Sequence, residues 1–153
     1  MGRFDTPLYQ ASRRGHAEVT SLLLEAQANA NDEGTNDFVR ASSLFEAATH
    51  GHTRVVGLLL DARADANARE EQILFPDFVN FSTPLITASA RGYVEIVRLL
   101  LEAAGDANTP YISQTSYVSD LDSEFSATPL FYAAESGYAE VVRLLVEARA
   151  DTW

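Results

Sequence analysis

Three histidines, His16, His50 and His52, are the side chains best suited to metal or acid–base chemistry in a chain that has no cysteine. His50 and His52 are two apart with Gly51 between them, and no cysteine or H-E-x-x-H helix stands near to complete a zinc set. His16 and His52 each follow a glycine, at places where Tyr93 and Tyr138 follow Gly92 and Gly137. Tyrosine would be a poor replacement for a catalytic imidazole, so a shared structural role is the expectation. Asp120, Asp122 and Glu124 could attract a hard cation. They lack the central glycine and the distal glutamate of a twelve-residue calcium loop, and read as a solvated acidic segment. There is no G-x-S-x-G elbow, phosphate-cradling glycine loop or dinucleotide fingerprint. The expectation is a non-catalytic chain without cofactor or metal.

The residues suited to binding lie elsewhere. The chain has 8 Phe, 6 Tyr and 1 Trp. Seven of these fifteen fall in three short segments: Phe38 in 32–41, Phe75, Phe78 and Phe81 in 68–82, and Tyr111, Tyr117 and Phe125 in 109–127. The same segments carry much of the net charge of −11, through acids that include Glu70, Glu71, Asp77, Asp120 and Asp122. So acidic a chain lacks the clustered Lys and Arg that nucleic acid or an anionic membrane would demand, while a basic protein partner suits it. Disordered segments are poor in aromatics, so these are expected to be ordered. Two roles fit. The side chains either make a small satellite core under the loops, or several face outward as anchors of an interface. Leu121 and Phe125, four apart after Ser119, suit one helical turn with a capping box, and Pro76 with Phe78 and Phe81 permits a similar short turn.

Positioning these segments falls to a 26-residue unit that occurs four times without a gap, at 6–31, 42–67, 83–108 and 128–153. Each opens with Thr-Pro-Leu or Ser-Ser-Leu. The hydroxyl residue (Thr6, Ser42, Thr83, Thr128) suits a helix N-cap, and proline suits the first helical position. Gly15, Gly51, Gly92 and Gly137 end this short helix. A second helix follows with apolar residues at i, i+3, i+4 and i+7, as in Ile96, Leu99, Leu100 and Ala103. Leu24, Leu60, Leu101 and Val146 widen that stripe, so the helix must be covered on more than one side. Stacked neighbours provide such cover.

These units resemble the ankyrin repeat, whose period is about 33 residues with a T-P-L-H-x-A signature. The resemblance implies an all-α solenoid of antiparallel helix pairs, four repeats in one domain over 1–153, with long finger loops at 32–41, 68–82 and 109–127. It also implies a protein-binding scaffold whose contacts come from the fingers and from Arg13, Thr49, Ala90 and Glu135 on the first helices. The alternative is a structural or self-assembling segment whose loops only buttress the stack. Three departures lower the expected stability. Tyr9, Phe45, Ile86 and Phe131 replace the signature histidine. Gln27, Arg63, Ala104 and Arg149 stand where such repeats carry a left-handed glycine. Alanine fills positions 30, 66 and 107, where valine is usual.

At about 7 residues per consensus connector, the 10, 15 and 19 residues here exceed what joining the helices requires. Long loops in compact domains are usually functional or disordered. Thr20 and Ser21 are read as a partial polar cap of the first unit. Val142, Leu145, Val146 and Trp153 are read as an uncapped apolar end, suited to weak end-to-end self-association. The abrupt boundaries resemble those of an excised or engineered piece. MGRFD carries no apolar leader and no stretch reaches 18 apolar residues, so the expected location is cytoplasmic.

Overall fold

Hydroxyl caps start the short helices as the sequence predicts. In the computed structural model, which describes residues 5–35, 39–75, 78–115 and 127–151, the first helix of each unit is seven residues long: α1 (Pro7–Arg13), α3 (Ser43–Thr49), α5 (Pro84–Ala90) and α7 (Pro129–Glu135). The oxygens of Thr6, Ser42, Thr83 and Thr128 accept from the backbone N–H of Tyr9, Phe45, Ile86 and Phe131, at 3.2, 3.1, 3.3 and 3.3 Å. The cap therefore survives loss of the signature histidine, because its donor is main chain. Ser43 stands where the other units have proline. Its N–H donates to the carbonyl of Asp32 at 3.2 Å, a bond that proline would forfeit.

The second helices are α2 (Ala17–Glu25), α4 (Thr53–Asp61), α6 (Val94–Glu102) and α8 (Ala139–Glu147). Leu59, Leu100 and Leu145 are fully buried, as are Val55, Ile96 and Val141, against Leu8, Leu44 and Leu85 of the first helices. Each second helix ends in a left-handed residue that carries a side chain: Gln27, Arg63, Ala104 and Arg149 have φ of 66, 64, 62 and 64°. An L-residue there costs roughly 1–2 kcal/mol, so the departure from glycine read in the sequence is a real strain, repeated four times.

Successive units are stitched by side chains at fixed places. Asn31 donates to the carbonyl of Arg63 and accepts from the N–H of Asp65, at 3.3 and 2.7 Å. Asn67 repeats this with Ala104 and Asp106, at 3.1 and 2.7 Å, and Asn108 accepts from Asp151 at 2.8 Å. The residue after each unit glycine leans back on the previous unit. A Cβ on Gly15 would lie 2.6 Å from the His52 ring, one on Gly51 3.0 Å from Tyr93, and one on Gly92 2.7 Å from Tyr138. The Nε2–H of His52 also donates to the carbonyl of Arg13 at 3.1 Å. The structural role read for these positions is therefore packing between units.

The connectors overturn the all-α expectation. They form a five-stranded antiparallel sheet in chain order: β1 (Glu33–Thr35), β2 (Val39–Ser42), β3 (Glu70–Phe75), β4 (Phe78–Ser82) and β5 (Ile112–Thr115). β-branched and aromatic residues such as Val39, Ile73, Phe75, Val79, Phe81 and Ile112 favour extended backbone. Stacking then sets each connector beside the next, so strands of different fingers pair. β2 meets β3 at Val39↔Gln72 and Arg40↔Glu71, and β4 meets β5 from Phe78↔Thr115 to Phe81↔Ile112. The short turn expected at Phe78 and Phe81 is corrected with it, since both lie in β4. The helical turn expected around Leu121 and Phe125 lies outside the described residues.

The reading of the first unit as self-capping is also corrected. Thr20 is 0% exposed, whereas Val19 and Leu22 are 47% and 65% exposed. At the other end Leu145 is buried, Val142 is half-buried and Val146 is 47% exposed. Trp153 lies outside the described residues. Among the described residues no helix is long and apolar enough to cross a membrane.

Candidate functional site

One face of the finger sheet turns towards the row of first helices, and the register shows which. Gly34 pairs with Ala41, and a Cβ on Gly34 would lie 2.4 Å from the Tyr9 ring. Ala41, Tyr9 and Phe45 form a small buried cluster of their own, separate from the main core. The β2–β3 register, continued by one residue, sets Ala41 opposite Glu70. Glu70 in turn pairs with Ser82, and two residues along β4 comes Asn80. Ala41, Glu70, Ser82 and Asn80 therefore share the helix-facing side, by the two-residue alternation of strands.

Beneath them lies a polar strip from four units. Glu46 on α3 is 9% exposed and accepts from the Tyr9 hydroxyl at 2.9 Å. The same carboxylate lies 3.7 Å from Arg13 and 3.5 Å from the Nδ1 of His50. Burial raises the Tyr9 phenol above its ordinary value, and the adjacent Glu46 carboxylate raises it further. Further along the row, the hydroxyls of Thr49 and Thr87 meet at 3.3 Å, and Arg91 donates to Thr87. Tyr111 meets Tyr132 edge to face with ring centroids 6.2 Å apart. Both phenols are raised, chiefly by burial; Glu70 adds to the first, and Tyr111 and then Glu135 to the second.

Glu70 is the most perturbed acid of the strip. Its carboxyl is pushed up to about 7, first by burial and next by the charge of Glu46, against the opposing pull of Arg91. Such a group gains most from a nearby positive charge, because ionising it alone in a half-buried place is costly.

Of the residues read from the sequence as contacts, the structure sets several along this strip. Arg13 and Glu135 are exposed at its two ends, Thr49 and Ala90 are half-buried between them, and Tyr111 closes it against Tyr132. Phe81 is half-buried and pairs with Ile112 and Glu71, so it stands on the opposite side of the sheet from Glu70. Phe75 and Phe78 pair with each other where β3 turns into β4. Phe38, Asp77, Tyr117, Asp120, Leu121, Asp122 and Phe125 lie outside the described residues. Sequence reading missed Tyr9, Glu46, Asn80 and Tyr132 and counted Glu70 only as charge. A signal was available: Gln10, Glu46, Thr87 and Tyr132 occupy one position of an otherwise regular unit and differ in all four copies.

The fold and strip define a helix-pair solenoid with a concave face bordered by extended fingers. The family described as ankyrin repeats (3 copies) matches residues 2–70 and 44–153, and the chain belongs to the ankyrin-repeat family. Members of that family generally mediate protein–protein interaction and are typically non-catalytic. No curated protein matches the sequence.

Proposed function

We propose that the chain is a non-catalytic scaffold that binds a basic protein through its finger sheet and the concave strip of first helices. One observation carries the reading: the described parts of connectors longer than joining requires pair as a single sheet over a strip that holds two acids, Glu46 and Glu70, and two tyrosines, Tyr111 and Tyr132. Aromatics give contact area at low entropic cost, and fixed acids steer a basic partner. Ordering the fingers before binding lowers the cost of association. The remaining contacts of this reading, Phe38, Asp77, Tyr117, Asp120, Leu121, Asp122 and Phe125, lie in the same three connectors by sequence. Shortening 68–82 and 109–127 to consensus-length turns is the test. Helical circular dichroism should persist and binding of the partner recovered with the full chain should be lost. Undiminished binding refutes the reading, and loss of folding makes the fingers buttresses.

A second reading, weak end-to-end association, is favoured by the exposed Val19 and Leu22 at one end and Val146 and Phe131 at the other. A concavity lined by His16, Ala17, Glu18 and Val19 adjoins the first pair. Sedimentation at increasing concentration should show mass growth that Leu22→Gln removes; a strict monomer at every concentration refutes it.

A further inference from the structure

The cleft between the sheet and the helix row holds acceptors without donors. Asn80 is 9% exposed, and its Oδ1 is buried with no hydrogen-bond partner. By register it stands on the face of Glu70 and Ser82, so it is directed into the cleft rather than to the outer side, where Phe81 and Glu71 pair. The Glu70 carboxyl makes no hydrogen bond or ion pair among the described residues. Arg91, the cation whose field it feels, directs its guanidinium to Thr87 instead. Glu46, below, already accepts from Tyr9. The β4–β5 register, continued by one residue, sets Tyr111 opposite Ser82, and Tyr132 stands against Tyr111. A buried amide oxygen and a half-buried carboxylate thus lie beside two aromatic rings, with no donor of the chain's own reaching either.

We propose that this cleft receives an arginine side chain of the protein partner, its guanidinium donating to Glu70 and to the Oδ1 of Asn80 and flanked by Tyr111 and Tyr132. The inference rests on the protein-binding reading and names the chemistry that the partner presents. A guanidinium fits better than an ammonium. It is planar, offers five donors in a fixed fork, is weakly hydrated and stacks on aromatic faces. Two acceptors of different charge on one side and rings on the other match that shape. With Glu135 at the far end, Glu46 and Glu70 make three acids along the strip against two arginines, Arg13 and Arg91. A neutral ligand would leave the Glu70 carboxyl protonated near neutrality and gain little from it.

The test uses the full chain and a blocked tripeptide, Gly-Arg-Gly, with its lysine and citrulline analogues as controls, followed by NMR. The side-chain amide of Asn80 and the carboxyl carbon of Glu70 should shift saturably with the arginine peptide, at least about tenfold more tightly than with citrulline, the margin of a charge-assisted hydrogen bond. The lysine peptide should be weaker than arginine. Glu70→Gln, nearly isosteric, should lose the preference for arginine over citrulline. In the unaltered chain, the peptide should lower the Glu70 midpoint from about 7. The groups that face it, Glu46 on α3, Arg91 on α5 and Tyr111 beside β5, are identical in the free and bound samples. Shifts spread over the acidic surface, equal affinity for citrulline, or an unmoved Glu70 midpoint would overturn the proposal. A natural partner that binds the parent and Glu70→Gln equally, yet is lost on finger shortening, overturns this inference and leaves the scaffold reading standing.

Discussion

The helix stack and the finger sheet obey different rules. In the stack, what one unit does the next repeats: a hydroxyl cap, a glycine turn, an apolar stripe, an asparagine bridge. Its energy comes from neighbours that are alike, so each inner unit is covered twice and each end unit once. The sheet has no repeat. Its three contributing segments differ in length and composition, and two of its four pairings run between fingers separated by a whole unit. The stack is therefore a frame, and the sheet with the strip beneath it is where the four copies were free to diverge. Position four of the first helix shows the divide in a single column: Gln10, Glu46, Thr87 and Tyr132 share a backbone environment and nothing else.

The difference is tested most severely by truncating two leucines of second helices, one in an inner unit and one in an end unit. Leu100→Ala, at 0% exposure in an inner unit, should cost about 2–5 kcal/mol as a buried cavity. Leu22→Ala, in the end unit and 65% exposed, should cost less than about 1 kcal/mol. Chemical denaturation of both variants checks this, and similar losses would remove the distinction between inner and end units.

The junction of sheet and stack is tested next. Gly34→Ala would drive a methyl group to 2.4 Å from the Tyr9 ring, which is held from behind by its hydrogen bond to Glu46. A cost of about 1–3 kcal/mol is expected, with a coupling to Tyr9→Leu in a double-mutant cycle. Additive losses would mean that the sheet does not rest on Tyr9.

Glu70 gives the sheet a pH dependence of its own. Its folded midpoint, about 7, lies above the ordinary value of 4.5, so the folded chain holds a proton that the unfolded chain has released across that interval. Stability should therefore fall as pH rises from about 4.5 to about 7 and level off above. With allowance for solvent screening of a partly exposed group, the loss is on the order of 1 kcal/mol. Glu70→Gln should flatten this segment of the profile and leave the parent's acid limb unchanged; a parent profile already flat between those values would contradict the assignment.

The smallest effect concerns strain in the frame. Arg63→Gly should stabilise by about 0.5–1 kcal/mol, the left-handed cost relieved less the entropy glycine adds to the unfolded chain. Thermal unfolding of that single variant decides it, and a loss of stability would mean that the Arg63 side chain contributes packing that outweighs its φ.

The frame was legible in the sequence because its signals are local. A hydroxyl followed by proline marks a helix start, a glycine eight residues later marks the turn, and four side chains in place of a left-handed glycine foretell strain. The sheet was not, because two of its pairings, β2 with β3 and β4 with β5, join different fingers. Phe78 and Phe81 three apart are as compatible with a helical turn as with a strand, and the pairing of β4 with β3 on one side and with β5, a unit away, on the other decides. The strip was half legible. Tyr111 and Arg13 were read as contacts from type and place, whereas Glu46, Glu70 and Asn80 become a group only when the sheet folds back over α3.

That pairing is the central claim, and amide hydrogen exchange tests it most directly. In the full chain, the β4 amides that donate to β5 should be protected. Shortening only 109–127 should release those amides while the pairing of β3 with β4 and the amides of α5 and α6 keep theirs. Unprotected β4 amides in the parent, or protection unchanged by the loss of the third finger, would contradict a sheet shared between fingers.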